Sequence, residues 1–299
     1  MNIQVSSEVQ AALRAGKPVV ALESAVITHG LPRPQNLDTA RHLERIVREH
    51  GAVPATVAVL GGKPCVGLRD DELVRLAESP RPRKVSLRDL AACAVRGEDG
   101  GTTVAATMHL AHGAGIRVFA TGGIGGVHRG QPFDVSADLP ALARIPMAIV
   151  CSGAKSILDL PLTLEWLETH GVPVVGYQTD RFPAFYCRDS GLPVDIRVDT
   201  PEALADFVRA HRDAGLSTAV LVGVPVPEDS ALPDALVEEA IARALAEAER
   251  EGVRGKAITP YLLARVSQIT EGRSLEANLA LLARNAEVGA RLAVCLAQG

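Results

Sequence analysis

Aromatic side chains are scarce in this chain, at 3% of its 299 residues. That leaves little for stacking on nucleic-acid bases or for lining an open sugar groove. Lysine is scarce too. Of 31 basic residues, five are Lys (Lys17, Lys63, Lys84, Lys155 and Lys256) and 26 are Arg. Where a plain positive charge suffices the chain uses Arg, so each Lys invites a chemical reading: its amine can lose a proton and attack a carbonyl. The five cysteines (Cys65, Cys93, Cys151, Cys187, Cys295) are odd in number and lack CxxC spacing. They fit reduced core thiols of a cytoplasmic protein rather than a disulfide framework or a zinc ribbon. No uncharged apolar run reaches the roughly 18 residues of a membrane span. The first residues lack a basic region followed by an apolar one, so no signal peptide is expected. A net charge of -4, without long runs of one sign, argues against a nucleic-acid surface.

What is present is apolar: 47% of the residues, enough for a large core. Apolar runs bounded by turn residues alternate with helical patterns, and no repeat, linker or low-complexity segment divides them. This predicts one domain over residues 1–299, a three-layer α/β/α arrangement around a mixed, largely parallel sheet. The run Ile145-Pro-Met-Ala-Ile-Val-Cys151 reads as a buried strand. Ser152, Gly153 and Ala154 turn the chain, and a helix pattern begins near Lys155. Ligands of such sheets sit beyond the carboxyl ends of the strands, where this lysine falls. The plain alternative is a helix-start lysine paired with Asp159.

Other candidates share that end of the sheet. Lys17-Pro-Val-Val-Ala-Leu-Glu23 reads as a strand ending in a carboxylate, solvated only if it faces a cleft, or else as a surface glutamate. Lys84 stands among arginines at the start of a short strand. Gly100-Gly-Thr-Thr-Val104 opens a helix and offers an anion cradle of free backbone N–H groups, or merely an ordinary cap. Asp134 and Asp138 lie four residues apart before the next helix, as a hard-metal pair or as capping groups. His109 and His112 share a helix face, but no third ligand follows nearby. Gly122-Gly-Ile-Gly-Gly-Val-His-Arg-Gly130 is not a dinucleotide fingerprint, because His128 occupies the third glycine position and a polar loop follows. It still lets backbone approach a ligand closely. Acid, phosphate cradle, metal carboxylate and amine together point to chemistry on a phosphorylated sugar through an imine. A class I aldolase-like phosphosugar lyase and a non-catalytic sugar-phosphate-binding protein fit the same residues.

Longer motifs narrow the choice. Ala21-Leu-Glu-Ser24, His29-Gly30, Ala52-Val-Pro-Ala-Thr56, Lys84-Val-Ser86 and Thr102-Thr-Val-Ala-Ala-Thr107 are followed by Val118-Phe-Ala-Thr-Gly-Gly-Ile-Gly-Gly-Val-His-Arg-Gly130. Ser136-Ala-Asp-Leu139, Ser152-Gly-Ala-Lys-Ser-Ile-Leu-Asp159, Gly176-Tyr-Gln-Thr179 and Leu262-Leu-Ala-Arg-Val266 complete the set. With these segments, which extend over most of its length, the chain resembles the pseudouridine-5'-phosphate glycosidases, a family that also includes the indigoidine-cluster A proteins. The resemblance implies reversible, Mn2+-assisted cleavage of pseudouridine 5'-phosphate to uracil and ribose 5-phosphate. It implies Glu23 as proton donor, Lys155 as the amine that forms an adduct with C1', and Asp134 as metal ligand. Lys84, Val104, Ser136, Ala137 and Asp138 match substrate-binding positions, with Thr121, His128 and Asn285 as further pocket residues. A cytoplasmic homotrimer is implied as well. In one departure, the segment from His128 to Asp134 is shorter than the family pattern.

The chemistry explains the residue types. A glycosidase with an oxygen leaving group works with two carboxylates. A carbon–carbon bond offers no leaving heteroatom to protonate, so an amine that supplies electrons from C1' takes the second role. A free lysine, with a pKa of about 10.4, is almost wholly protonated near neutral pH, so its surroundings must favour the neutral amine.

Overall fold

The computed structural model describes residues 2–298. Strand β1 (Gln4–Val5) leads into helix α1 (Ser7–Arg14), capped by the Ser6 hydroxyl, which accepts from Val9 N–H at 3.3 Å. Strand β2 (Val19–Leu22) is buried at every residue, as a strand covered on both faces requires. A π-helical turn (Val26–Gly30) and helix α2 (Gln35–Glu49) precede the hairpin of β3 (Val53–Leu60) and β4 (Lys63–Val66). This hairpin turns at Gly61 and Gly62, as the sequence predicts. Helix α3 (Asp70–Glu78), strand β5 (Arg83–Val85), helix α4 (Leu90–Arg96), strand β6 (Gly100–Thr102), helix α5 (Val104–Gly113) and strand β7 (Val118–Ala120) follow.

The second half continues with β8 (Val127–His128), β9 (Gln131–Val135), α6 (Asp138–Leu142), β10 (Ala148–Cys151), β11 (Leu158–Asp159) and α7 (Leu160–Thr169). After them come β12 (Val174–Tyr177), β13 (Ile196–Val198), α8 (Pro201–Asp213), β14 (Val220–Gly223) and three long helices. These are α9 (Asp234–Arg250), α10 (Ile258–Ile269) and α11 (Arg273–Ala297).

The main sheet runs β1-β4-β3-β2-β7-β10-β14-β12-β13. Along this path only the β3–β4 hairpin is antiparallel. Strand β6 joins the far half of β3 antiparallel and β5 parallel. The fold is therefore the expected α/β class with a mixed, largely parallel sheet. Helix α11 lies over β2, β7 and β10 between α2 and α8, while α5 packs on β2, β3 and β4. Gly289 lets α11 approach closely: a Cβ there would lie 3.1 Å from the Ala120 Cβ. One apolar cluster extends from Val9 to Ala293. Among the described residues, no helix is long and apolar enough to cross a membrane. All five cysteines are free, four of them buried.

Three local expectations are corrected. Lys155 does not start a helix: it sits in a turn, and a short strand, β11, intervenes before α7. Asp159 is the cap of α7, its Oδ1 accepting from Leu162 N–H at 3.0 Å, and not the partner of Lys155. Gly100-Gly-Thr102 is a strand rather than the first turn of a helix. A second, antiparallel sheet of order β11-β8-β9 escapes sequence reading, because strands this short carry no legible period.

The strand assignment of Gly101 yields a test. A Cβ at this position would meet Thr28 Oγ1 and come within 2.6 Å of the Ser24 carbonyl oxygen. Backbone cannot yield as a flexible side chain would, so Gly101→Ala should destabilise the protein by about 1–3 kcal/mol. Chemical denaturation of the two proteins checks this, and equal midpoints with equal slopes would refute the close approach.

Candidate active site

The carboxyl ends of β2, β7 and β10 open into a cavity of about 470 Å³. Parallel strands place their following residues side by side, so Glu23, Gly122 and Lys155 meet there although they are far apart in sequence. Glu23, Lys84, Val104, His128, Asp134, Ser136, Ala137, Asp138 and Lys155 all line it.

Glu23 is held by the Thr121 hydroxyl, which donates to its Oε1. Burial pushes the Glu23 carboxyl above the usual glutamate range. Lys155, the Thr121 hydroxyl and Lys84 pull the other way, and nearby Asp138 adds to the rise. Thr121 is in turn fixed by Asn285 on α11, whose Nδ2 donates to Thr121 O at 2.8 Å and lies 3.1 Å from Ser152 Oγ. Thr121 and Asn285, expected as pocket residues, therefore stand behind the cavity wall and position it. Asn278, two turns earlier on the same helix, is the asparagine that lines the cavity. Sequence reasoning missed it, since both asparagines lie on the buried stripe of α11.

Lys155 follows β10 through Gly153, whose φ of +78° and contact with the Pro183 carbonyl exclude a side chain. Its backbone N–H donates to Ile124 O at 3.1 Å, and its Nζ donates to Gly123 O at 2.6 Å. The amine is thereby turned toward the glycine-rich loop. Gly123 also admits the ring of Phe185, which a Cβ there would approach to 2.6 Å. Phe185 has φ +63° and lines the cavity, and no pattern in the sequence signals it.

At another side of the cavity, the Thr103 Oγ1 and His128 Nε2 atoms are buried without a hydrogen-bond partner. Both residues line the cavity, as does Lys84, so its wall holds two polar atoms without a partner. Several amides around the expected cradle already have partners. Thr102 N–H donates to Ser24 Oγ at 3.0 Å, Thr103 N–H to Val85 O at 2.9 Å, and Ala105 N–H to Asp138 Oδ1 at 2.9 Å. His29, from the π-helical turn, also lines this wall, its Nδ1 2.7 Å from Thr28 Oγ1. Burial, aided by Lys84, lowers its pKa.

The two carboxylates read as a pair have separate roles. Asp138 is buried and accepts from Ala105 N–H and Gly125 N–H, each at 2.9 Å. It ties the start of α5 to the glycine-rich loop, each of its two oxygens holding one backbone N–H. Asp134 is exposed, with Oδ2 3.3 Å from His128 Nδ1. Among the described residues no three His, Cys, Asp or Glu side chains converge as a metal cage. His109 and His112 are exposed on α5. As a metal ligand, a lone carboxylate at the rim of the cavity suits only a hard divalent cation that keeps most of its waters.

Comparison with known proteins places this geometry. Residues 8–295 match the family described as indigoidine synthase A like protein. A pseudouridine-5'-phosphate glycosidase of Caldanaerobacter subterraneus subsp. tengcongensis is 54% identical over 296 residues, covering 98% of this chain and 96% of the relative. One from Symbiobacterium thermophilum is 55% identical over 303 residues, covering 99% and 98%. Among solved structures, the prealnumycin C-glycosynthase AlnA in complex with ribulose 5-phosphate superposes with a TM-score of 0.91 at 42% identity, covering 99% of this chain and 97% of that one. An indigoidine synthase A-like protein of Thermotoga maritima does so with a TM-score of 0.91 at 37% identity, covering 99% and 96%. Similarity of this extent, over nearly the whole chain, makes it a member of the indigoidine synthase A-like family.

Proposed function

We propose that the protein reversibly cleaves the C–C glycosidic bond of pseudouridine 5'-phosphate to uracil and ribose 5-phosphate. The observation that carries this is one cavity lined by a buried carboxyl, an amine, Lys84 and two residues with unpartnered polar atoms. The names of relatives at more than half identity support the substrate, and the sugar phosphate held by the C-glycosynthase supports its class.

In this reading Glu23, whose raised pKa keeps its proton to higher pH than a free glutamate, protonates the ribose ring oxygen as the C1'–O bond breaks. The Lys155 nitrogen adds to C1' through its lone pair, and Glu23 takes back the proton the nitrogen loses. The nitrogen lone pair then forms the C1'=N bond while the C1'–C5 bond to uracil breaks. Its electron pair stays with uracil C5, which receives the proton from Glu23. Water adds to the imine and releases ribose 5-phosphate and the free amine. Thr103, His128 and Lys84 hold the phosphate. Asp134 would hold Mn2+ through water, the ion supplying positive charge toward polar substrate oxygens. A cytoplasmic homotrimer belongs to the same reading, and light scattering on the purified protein tests the trimer.

Three outcomes are expected. Incubation with ribose 5-phosphate and borohydride should add one reduced sugar phosphate to the mass, mapped to Lys155, while Lys155→Arg binds substrate without turnover. Substantial turnover by Lys155→Arg, or an adduct mapped to Lys84, would overturn the assignment. Thr103→Val keeps shape but removes the hydroxyl, a loss of about 1.5–3 kcal/mol toward a charged phosphate. Its kcat/KM for the phosphorylated substrate should fall about tenfold to a hundredfold, with bare pseudouridine unaffected. Equal losses for both substrates would remove the phosphate from this wall. Exhaustive EDTA treatment should abolish turnover while the circular dichroism spectrum and melting temperature stay unchanged, because one carboxylate is no structural cage. Full activity at undetectable metal content would refute the metal's part.

A further inference from the structure

We infer that Arg129 is a positioning residue that sets the place of Lys155 relative to the phosphate-facing wall. This role rests on the reading of Lys155 as nucleophile and adds a residue to it. Arg129 lies outside the cavity lining, immediately after His128. Its guanidinium spends its donors on one turn and one helix. Nη2 donates to Ser156 O at 2.7 Å and Nε to Leu158 O at 3.1 Å. Nη1 and Nη2 grip the carboxylate of Glu238 on α9, at 2.6 and 2.8 Å.

The two carbonyls belong to the turn that begins at Lys155, which is closed by Leu158 N–H donating to Lys155 O at 2.9 Å. Leu158 also pairs directly with His128 across β11 and β8. One guanidinium thus bridges the segment that carries the unpartnered His128 Nε2 and the segment that carries the Lys155 amine. Lysine has a flexible stem, so its amine is placed only as well as its backbone is held. A planar fork with five donors can satisfy both carbonyls and the carboxylate together, whereas a lysine ammonium cannot keep that geometry. The Glu238 side chain is 59% exposed, so the ion pair by itself contributes little stability, and the carbonyl bonds carry the effect.

The test compares Arg129→Lys, Arg129→Ala and Glu238→Gln with the wild-type protein. Displacing a reacting group by about 1 Å costs on the order of a hundredfold in rate. Both Arg129 variants should lose about tenfold to a hundredfold in kcat, with KM changed by less than about threefold. The rate of borohydride trapping by ribose 5-phosphate should fall in step. Added guanidinium ion, at concentrations below denaturation, should restore part of both rates to Arg129→Ala but not to Arg129→Lys. Glu238→Gln should lose less. Wild-type kcat and trapping in a folded Arg129→Lys protein would overturn the role. A rise in KM at unchanged kcat would do so as well. If Arg129→Ala does not fold, Arg129→Lys and Glu238→Gln decide by the same two rates. Absence of any adduct in the wild-type protein would instead remove the nucleophile reading, and the role of Arg129 with it.

Discussion

The structure depends on a knot of polar contacts at the carboxyl ends of three adjacent parallel strands. Asn285, 1% exposed on α11, reaches from the helix layer to Thr121 O after β7 and to Ser152 after β10. Thr121 in turn bonds Glu23 after β2. Backbone groups just past a strand end have left the sheet ladder and need other partners, and a buried one left unpaired is costly. A single amide side chain supplies donor and acceptor at that junction. In doing so it fixes the distance between the acid-bearing end of β2 and the turn that presents Lys155.

A second constraint is steric. Gly123 makes room for Phe185, Gly125 for Ser136 and Asp138, and Gly126 for Thr163. The glycine-rich loop is therefore packed against side chains where it does not face the cavity. Asp138 locks it to the first turn of α5 by accepting one N–H from each. This use of the carboxylate follows from its burial: a charged group removed from water must be hydrogen-bonded, and two backbone donors meet that need without a metal. Asp134, four residues away but exposed, is under no such requirement and stays available.

The charge arrangement follows the same logic of selective satisfaction. Arginines such as Arg129 and Arg83 are committed to carboxylates or carbonyls, and they brace elements against one another. Lysines were the residues to watch, because the chain spends them sparingly. Lys84 and Lys155 both reached the cavity and both act on the charge of Glu23. Rarity of one cation among another pointed to two residues that line the cavity, and the two cations differ in what they can do and not only in charge.

From sequence alone the α/β class, the parallel core strands and the β3–β4 hairpin were determined, because buried apolar runs and paired glycines are local features. Glu23, Lys84 and Lys155 were legible for the same reason: each stands at or near the end of such a run, where a parallel sheet opens to ligands. Tertiary structure alone decided which polar groups remained free to meet a guest. The amides of Thr102 and Thr103 looked open, yet residues distant in the chain took them, and the Thr103 hydroxyl was left without a partner. Asp138 and Asp134 looked alike until burial separated them. Asn278 and Asn285 could not be told apart along one helix, and which of them meets the cavity depends on the rotation of α11 over the sheet. Hydrogen-bond satisfaction is a property of three-dimensional neighbours, and residues far apart in the chain supply them.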